Sequence, residues 1–247
     1  FKIGEDSMGI ITDSLINLYS DPIGSIVREV TSNCYDAHRE KNLKIKHVIP
    51  MEKDDDPKWF HPISKKPEIE FQEENILVGV GNAFLFRDFG IGLSKERVEQ
   101  IYTLFGNSTK RDDNLQIGGF GIGAKSPFSY TDTFYIITNY NGKKYSYMLY
   151  RGNDAFHMDL LKTLDTPELN QTEVIIPVND EKSNRDIRNF AKSMELQLMY
   201  FTDLTYINID EGTGRNVRLA DLDYEDDDLA ISLKLTKSYD FNDIHLM

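Results

Sequence analysis

The chain has 247 residues, 40% of them apolar and 11% aromatic, enough for one large domain or one domain and part of a second, and too apolar for global disorder. A formal charge of −13 excludes general affinity for nucleic-acid backbones or anionic lipid, but not for one anionic ligand in a local site. Cys34 is the only cysteine, so no internal disulfide forms and a reducing cytoplasm is expected, and no apolar run approaches the roughly 18–20 residues that span a bilayer. Cys34 itself reads as a small buried side chain. Because the chain opens on Phe1 and closes on Met247, a segment of a longer protein is expected.

In chain order, residues 10–19 have helical spacing, with Ile11, Leu15, Ile16 and Leu18 apolar and Asp21-Pro22 as the stop. A longer helix follows, from about Pro22 in its first turn to Arg39. Residues 50–67 are charged and punctuated by Pro50, Pro57 and Pro62, and read as an irregular insertion. Short strands are expected at 69–71 and 84–88. Ser94 is placed to N-cap a helix over 95–105. A glycine-rich loop then opens into a short helix over 123–130. Strands 133–140 and 144–151, joined by Asn141-Gly142, form the clearest hairpin. Further strands are expected at 155–160, 172–178, 204–209 and 231–235, with a helix over 184–200. The acidic stretch 221–228 reads as a solvated loop. Interspersed helices and hairpin-linked strands predict an α+β fold, with a mixed, mostly antiparallel sheet and helices on one face.

The long helix carries a polar stripe. At about 100° per residue, Glu29, Asn33 and Asp36 fall within an arc of roughly 60°. Ile23, Ile26, Val27, Val30, Cys34 and Ala37 share a neighbouring arc. Such a helix buries one side and lines a cleft with its boundary. Asn33 can offer a hard oxygen to magnesium, and Glu29 can orient or deprotonate a water. A polar stripe that simply faces solvent is the competing reading.

Asp88-Phe89-Gly90-Ile91-Gly92 follows a strand and precedes a capped helix. Its glycines permit a tight bend, and the Asp88 carboxylate is placed to accept a hydrogen bond, such as one from an adenine amine. An ordinary strand-to-helix turn is the plain alternative; a protein-kinase site is disfavoured, since neither a His-Arg-Asp loop nor an Ala-Pro-Glu segment is present. Gly118-Gly119-Phe120-Gly121-Ile122-Gly123-Ala124-Lys125-Ser126 places four glycines in six residues ahead of a helix, a run of amides suited to phosphate. It is neither a Walker A loop nor a dinucleotide fingerprint.

In this order the motifs resemble the Bergerat-fold ATPases, the group of gyrase B subunits, MutL, sensor histidine kinases and the heat-shock chaperones of that fold. Glu29-x-x-x-Asn33-x-x-Asp36-Ala37 is similar to their first motif, Asp88-x-Gly90-x-Gly92 to the second and Gly118 to Gly123 to the third. Thr172, in Gln171-Thr172-Glu173-Val174-Ile175-Ile176-Pro177, is similar to a fourth element. A finer resemblance is to the bacteriophage rIIA lysis-inhibition family. It rests on Arg28-Glu29, Asn33, Asp36-Ala37-His38, Arg87-Asp88-Phe89-Gly90 and above all the run 117–134, and covers about residues 20–205. The 41–82 region is longer than the family pattern.

The resemblance implies a two-layer α/β sandwich over residues 1–205, with ATP between the helical layer and a lid at about 105–119. It implies that 206–247 begin a second domain or a C-terminal extension. The site would comprise Glu29 as the catalytic base, Asn33 as magnesium ligand, and Asp36, Ala37, Asp88, Gly90, Gly92, Lys110, Gly118, Gly119, Phe120, Gly121, Ile122, Gly123 and Thr172 around the nucleotide, with Ser108 and Thr109 near the phosphates. ATP and magnesium are the implied ligands. A nucleotide-dependent homodimer, an unidentified protein partner and a host-cytoplasmic location, with the inner membrane as a peripheral station, follow from the same resemblance. Histidine-kinase chemistry is disfavoured, since such kinases usually lack a glutamate at the Glu29 position and no histidine here lies on a helix ahead of the first motif. A nucleotide-gated scaffold without turnover, and an ATPase domain acting on DNA or protein clients, are the competing functions.

Overall fold

A computed structural model describes residues 19–75, 79, 81–103, 123–152, 156–178, 183–201, 203–209, 224–225 and 230–231. Three α-helices are described: α1 (Pro22–Ile45), α2 (Lys95–Thr103) and α3 (Ser183–Gln197). Seven strands build the main sheet: β1 (Glu68–Gln72), β2 (Ala83–Asp88), β3 (Thr133–Tyr140), β4 (Lys143–Arg151), β5 (Phe156–Asp165), β6 (Gln171–Pro177) and β7 (Thr205–Ile207). Two short 3-10 helices (Pro57–Trp59 and Gly123–Ser129) and a small separate strand pair, β8 (Tyr224–Glu225) with β9 (Ala230–Ile231), complete the described elements.

The sheet order is β5-β4-β3-β6-β2-β1-β7. Every pairing is antiparallel except β1 with β7. The expected α+β class with a mixed, mostly antiparallel sheet is therefore what the chain forms. The β3–β4 hairpin turns on Asn141 (φ 48°) and Gly142 (φ 80°), the paired left-handed conformation that an Asn-Gly turn supplies. Alternation along each strand splits the apolar residues into two sets. Ile69, Phe71, Phe84, Phe86, Phe134, Ile136, Tyr147, Leu149, Val174 and Ile176 meet Ile26, Val27, Val30 and Cys34 of α1, Val98 of α2 and Ile187, Phe190 and Met194 of α3 in one core. Ala83, Leu85, Ile137 and Ile175 form a smaller cluster on the opposite face. Thus the described helices cover one face of the sheet, as expected.

Helix α1 starts where the sequence predicts. Asp21 accepts a hydrogen bond from Gly24 N at 3.0 Å and Pro22 occupies the first turn. It does not stop at Arg39, however, but runs on to Ile45. No glycine or proline interrupts residues 40–45, and Lys41 and Lys44 are buried by partners brought from elsewhere in the chain. Helix α2 carries the expected cap, with Ser94 Oγ accepting from Arg97 N at 3.2 Å. The helix expected over 123–130 is a 3-10 helix, Gly123–Ser129, with Pro127 inside it. Strand β5 is longer than expected, running to Asp165. The helix expected at 10–19 lies outside the described residues except for Tyr19, as do the lid at 105–119 and residues 232–235. Among the described residues no helix is long and apolar enough to cross a membrane.

Candidate functional site

Along α1, segments distant in the chain come together. An apolar stripe would explain how α1 docks, but the helix also buries Asp36, His38, Lys41 and Lys44. Buried ionisable groups are costly unless partnered, so their partners locate the site.

Ala37 meets the Asp-Phe-Gly turn. A Cβ built on Gly90 would lie 2.7 Å from Ala37 Cβ and 2.8 Å from its carbonyl carbon and oxygen. Only a glycine lets the turn lie this close to the helix backbone. Replacing Gly90 with alanine therefore forces helix and turn apart, and is expected to cost about 1–3 kcal/mol of stability in denaturant titrations. The next glycine has a different reason. Gly92 adopts φ +70°, and a Cβ there would lie 2.2 Å from Asn139 O.

His38 and Lys41 clamp the same turn. His38 Nε2 accepts from Phe89 N at 2.8 Å, so the neutral ring carries its proton on Nδ1. Lys41 Nζ donates to Phe89 O at 2.9 Å and to Pro62 O at 3.3 Å. Asp88 Oδ1 accepts from Gly90 N at 2.9 Å, Asn170 Nδ2 donates to Ile91 O at 2.8 Å, and Thr138 Oγ1 accepts from Leu93 N at 2.9 Å. The turn is thereby held residue by residue. Its acid is unusual. Burial pushes the Asp88 carboxyl up to about 7, against the opposing pull of its bond from Gly90 N and of the Lys41 charge. Burial likewise brings Lys41 down to about 8.

His38 is held down to about 3, by burial first and then by Lys41, His61 and Lys65. Its folded pKa lies below its unfolded value, so the unfolded chain binds the extra proton as pH falls from about 6.5 towards 3. Stability from this group is complete above about pH 6.5 and is lost on acidification. Asp88 acts in the opposite sense between its ordinary range and about 7, so the wild-type curve alone conceals both. The stability difference between wild type and His38→Gln isolates the histidine. It is expected to shrink by about 1.4 kcal/mol per pH unit between about pH 6 and 4 in urea melts; a constant difference would contradict a neutral buried His38.

Glu29 meets the end of the glycine loop. A Cβ on Gly123 would lie 2.5 Å from Glu29 Oε2. The carboxylate is partly open, with 29% side-chain exposure, and its Oε1 faces Arg28 Nη2 at 3.3 Å. Beyond Gly123, Lys125 is buried and donates to Ile101 O at 2.9 Å near the end of α2. Thr172 on β6 pairs directly across from Asp88 on β2. Its hydroxyl lies 3.2 Å from Thr138 Oγ1, which bonds Gln171 O at 3.0 Å.

Residues 46–67 are tied to this assembly rather than free of it. Lys44 pairs with Asp55 at 2.8 Å and with Glu40 at 3.0 Å, and Glu40 also takes Arg97 at 2.9 Å. Burial raises the Glu40 pKa, but Arg97 and Lys44 outweigh it and hold the carboxyl below its ordinary value. At the hairpin turn, Asn141 Nδ2 and Tyr140 OH donate to Asp54 O at 2.8 and 3.2 Å. The His61 ring packs edge-on against Phe89, with centroids 4.8 Å apart.

The structure thus brings Glu29 to Gly123, Ala37 to Gly90, and Asp88 to Thr172, with Asn33 and the buried Asp36 on the α1 stripe between Glu29 and Ala37. Lys110, Gly118, Gly119, Phe120, Gly121 and Ile122, like Ser108 and Thr109, lie outside the described residues. Sequence reasoning passed over Lys41 and gave His38 no role. The signal was present, because Lys41 continues the spacing of Asn33 and Ala37 four residues apart along one helix face. Among the described residues no cluster of three or more His, Cys, Asp or Glu side chains is arranged to hold a metal ion. Neither models of known protein families nor curated proteins match this sequence.

Proposed function

We propose that this chain binds ATP with magnesium and hydrolyses it, as a Bergerat-type domain akin to the phage rIIA family whose output is a nucleotide-driven conformational switch. One observation carries the reading. Motifs scattered over about 140 positions meet: α1 brings Glu29 to Gly123 and Ala37 to Gly90, and the β2–β6 pairing sets Asp88 opposite Thr172. A chance stripe of polar residues on α1 has no reason to collect both glycines.

In this reading Asp88, ionised, accepts the hydrogen bond of the adenine amine. Gly90 keeps the base close to α1, and the Thr172 side supports the carboxylate. The amides of the glycine run ending at Gly123 take the phosphates. Magnesium keeps most of its waters and needs only one or two protein oxygens, which fits Asn33 with Asp36 beside it and needs no carboxylate cluster. When bound, it neutralises charge on the phosphate tail. Glu29 orients a water and accepts its proton as the water oxygen bonds to the terminal phosphorus in line with the departing ADP oxygen. The approach of Glu29 to Gly123, at the end of that glycine run, supports this role.

Titration of the full chain with a magnesium-bound, non-hydrolysable ATP analogue, beside a phosphate-release assay with ATP, tests the reading. Saturable binding with slow phosphate release and no phosphoprotein is expected. Phosphate retained on the protein would point to kinase chemistry instead. Binding without any release would leave a nucleotide-gated scaffold, and no binding would remove both.

A further inference from the structure

Strand β5 forms one edge of the sheet, paired with β4 on one side only among the described residues. Proteins usually blunt such edges with proline, charge, shortness or a bulge. This one is ten residues long and has no proline. Residues Asp159 to Asp165 are all exposed. Among the described residues it carries three of the five large apolar side chains that face solvent: Leu160 at 40%, Leu161 at 52% and Leu164 at 45%.

The strand also has an internal symmetry that an ordinary edge would lack. Tyr147 of β4 opposes Leu160 and Ser146 opposes Lys162, so Leu161 is an extra, bulged residue. The bulge shifts the alternation of faces by one position. Met158 and Thr163 stand opposite Leu149 and Tyr145, on the face of the main core. Asp159 and Lys162 stand opposite Met148 and Ser146, on the other face. A twofold axis between Leu160 and Leu161 therefore places residues of like face opposite each other. Asp159 faces Lys162 of the second copy, Lys162 faces its Asp159, Met158 faces its Thr163, and the leucines meet at the axis. Without the bulge, the same register would set core-facing residues against outward ones.

We propose that β5 pairs antiparallel with β5 of a second copy of this chain, joining two seven-stranded sheets into one, without nucleotide. The charges choose the occupant. Opposite charges directly across an antiparallel pair stabilise it and like charges oppose it, and this register supplies two matched pairs and no like-charge pair. Main-chain hydrogen bonds along the edge supply the affinity and the three leucines the apolar contact.

Sedimentation velocity of the nucleotide-free full chain, from about 1 to about 100 µM, reads the result. The wild type is expected to associate to a dimer in that range. Asp159→Lys places lysine opposite Lys162, and Lys162→Asp places aspartate opposite Asp159. Each is expected to weaken association at least about tenfold. The double variant Asp159→Lys/Lys162→Asp restores both matches and is expected to dimerise again. Both side chains are exposed in the monomer, and unchanged circular dichroism checks that each variant folds. A monomer throughout the range overturns the proposal, as does a dimer indifferent to the single substitutions or one that forms only with ATP.

Discussion

Replacing Glu29 with alanine is expected to lower ATP turnover by about 10²- to 10⁴-fold while leaving nucleotide binding in place, the range for loss of a positioned general base. The structure gives reasons to expect this split between chemistry and affinity. Glu29 lies against Gly123, the last glycine of the run 118–123, whereas Gly90 of the Asp-Phe-Gly turn lies against Ala37. Its ionic partner Arg28, at 3.3 Å, is an exposed neighbour on the same helix. Such pairs contribute at most about 1 kcal/mol, so the fold should survive the change. Single-turnover phosphate release and an analogue-binding isotherm, measured on the same preparation, separate the two quantities. Equal turnover in variant and wild type would remove Glu29 from the mechanism.

The second large effect is expected at Asp88. Asp88→Asn can keep the hydrogen bond from Gly90 N through its amide oxygen, since that bond needs only an acceptor. Its NH₂ group then stands where the second carboxylate oxygen stood, presenting a donor to the donor of adenine. Sites built to pair a polar group reject the mismatched partner strongly, and a loss of at least about 100-fold in affinity is expected. The wild-type pH dependence carries the same information. With burial pushing Asp88 up to about 7, the ionised form becomes scarce in mild acid. Affinity for adenosine, which has no phosphate to titrate, is expected to fall about tenfold per pH unit below about 7 and to level off above it. Calorimetry over that range checks the slope. Affinity independent of pH, or an asparagine variant that binds normally, would mean that Asp88 does not read the base.

How far the sequence revealed this architecture depends on whether the cause was local. The Asn141-Gly142 turn was legible because its left-handed residues need little outside help. The N-terminus of α1 was legible too, since Asp21 and Pro22 cap it from the adjacent chain. So was the stripe of Glu29, Asn33 and Asp36, because helical period alone sets it. The end of α1 was not. Lys41 and Lys44 look like solvent-facing lysines until Phe89 O, Pro62 O and Asp55 are brought to them from 11 to 48 residues away. The clamp by His38 was hidden for the same reason, its partner being a backbone amide 51 residues on. Strand β5 was cut short because the bulge at Leu161 breaks its alternation, and a period-two reading stops there. Of the site, the sequence named the groups of the motifs but not the groups that hold those motifs in place.

The proposed function requires an adenine nucleotide to bind beside α1, the Asp-Phe-Gly turn and Gly123. Crystals of the full chain grown with magnesium and a non-hydrolysable ATP analogue test it most directly. The account predicts the adenine amine within hydrogen-bond distance of Asp88 and the terminal phosphate beside Glu29 and Gly123. A nucleotide bound elsewhere, or none bound at saturating analogue, would contradict it.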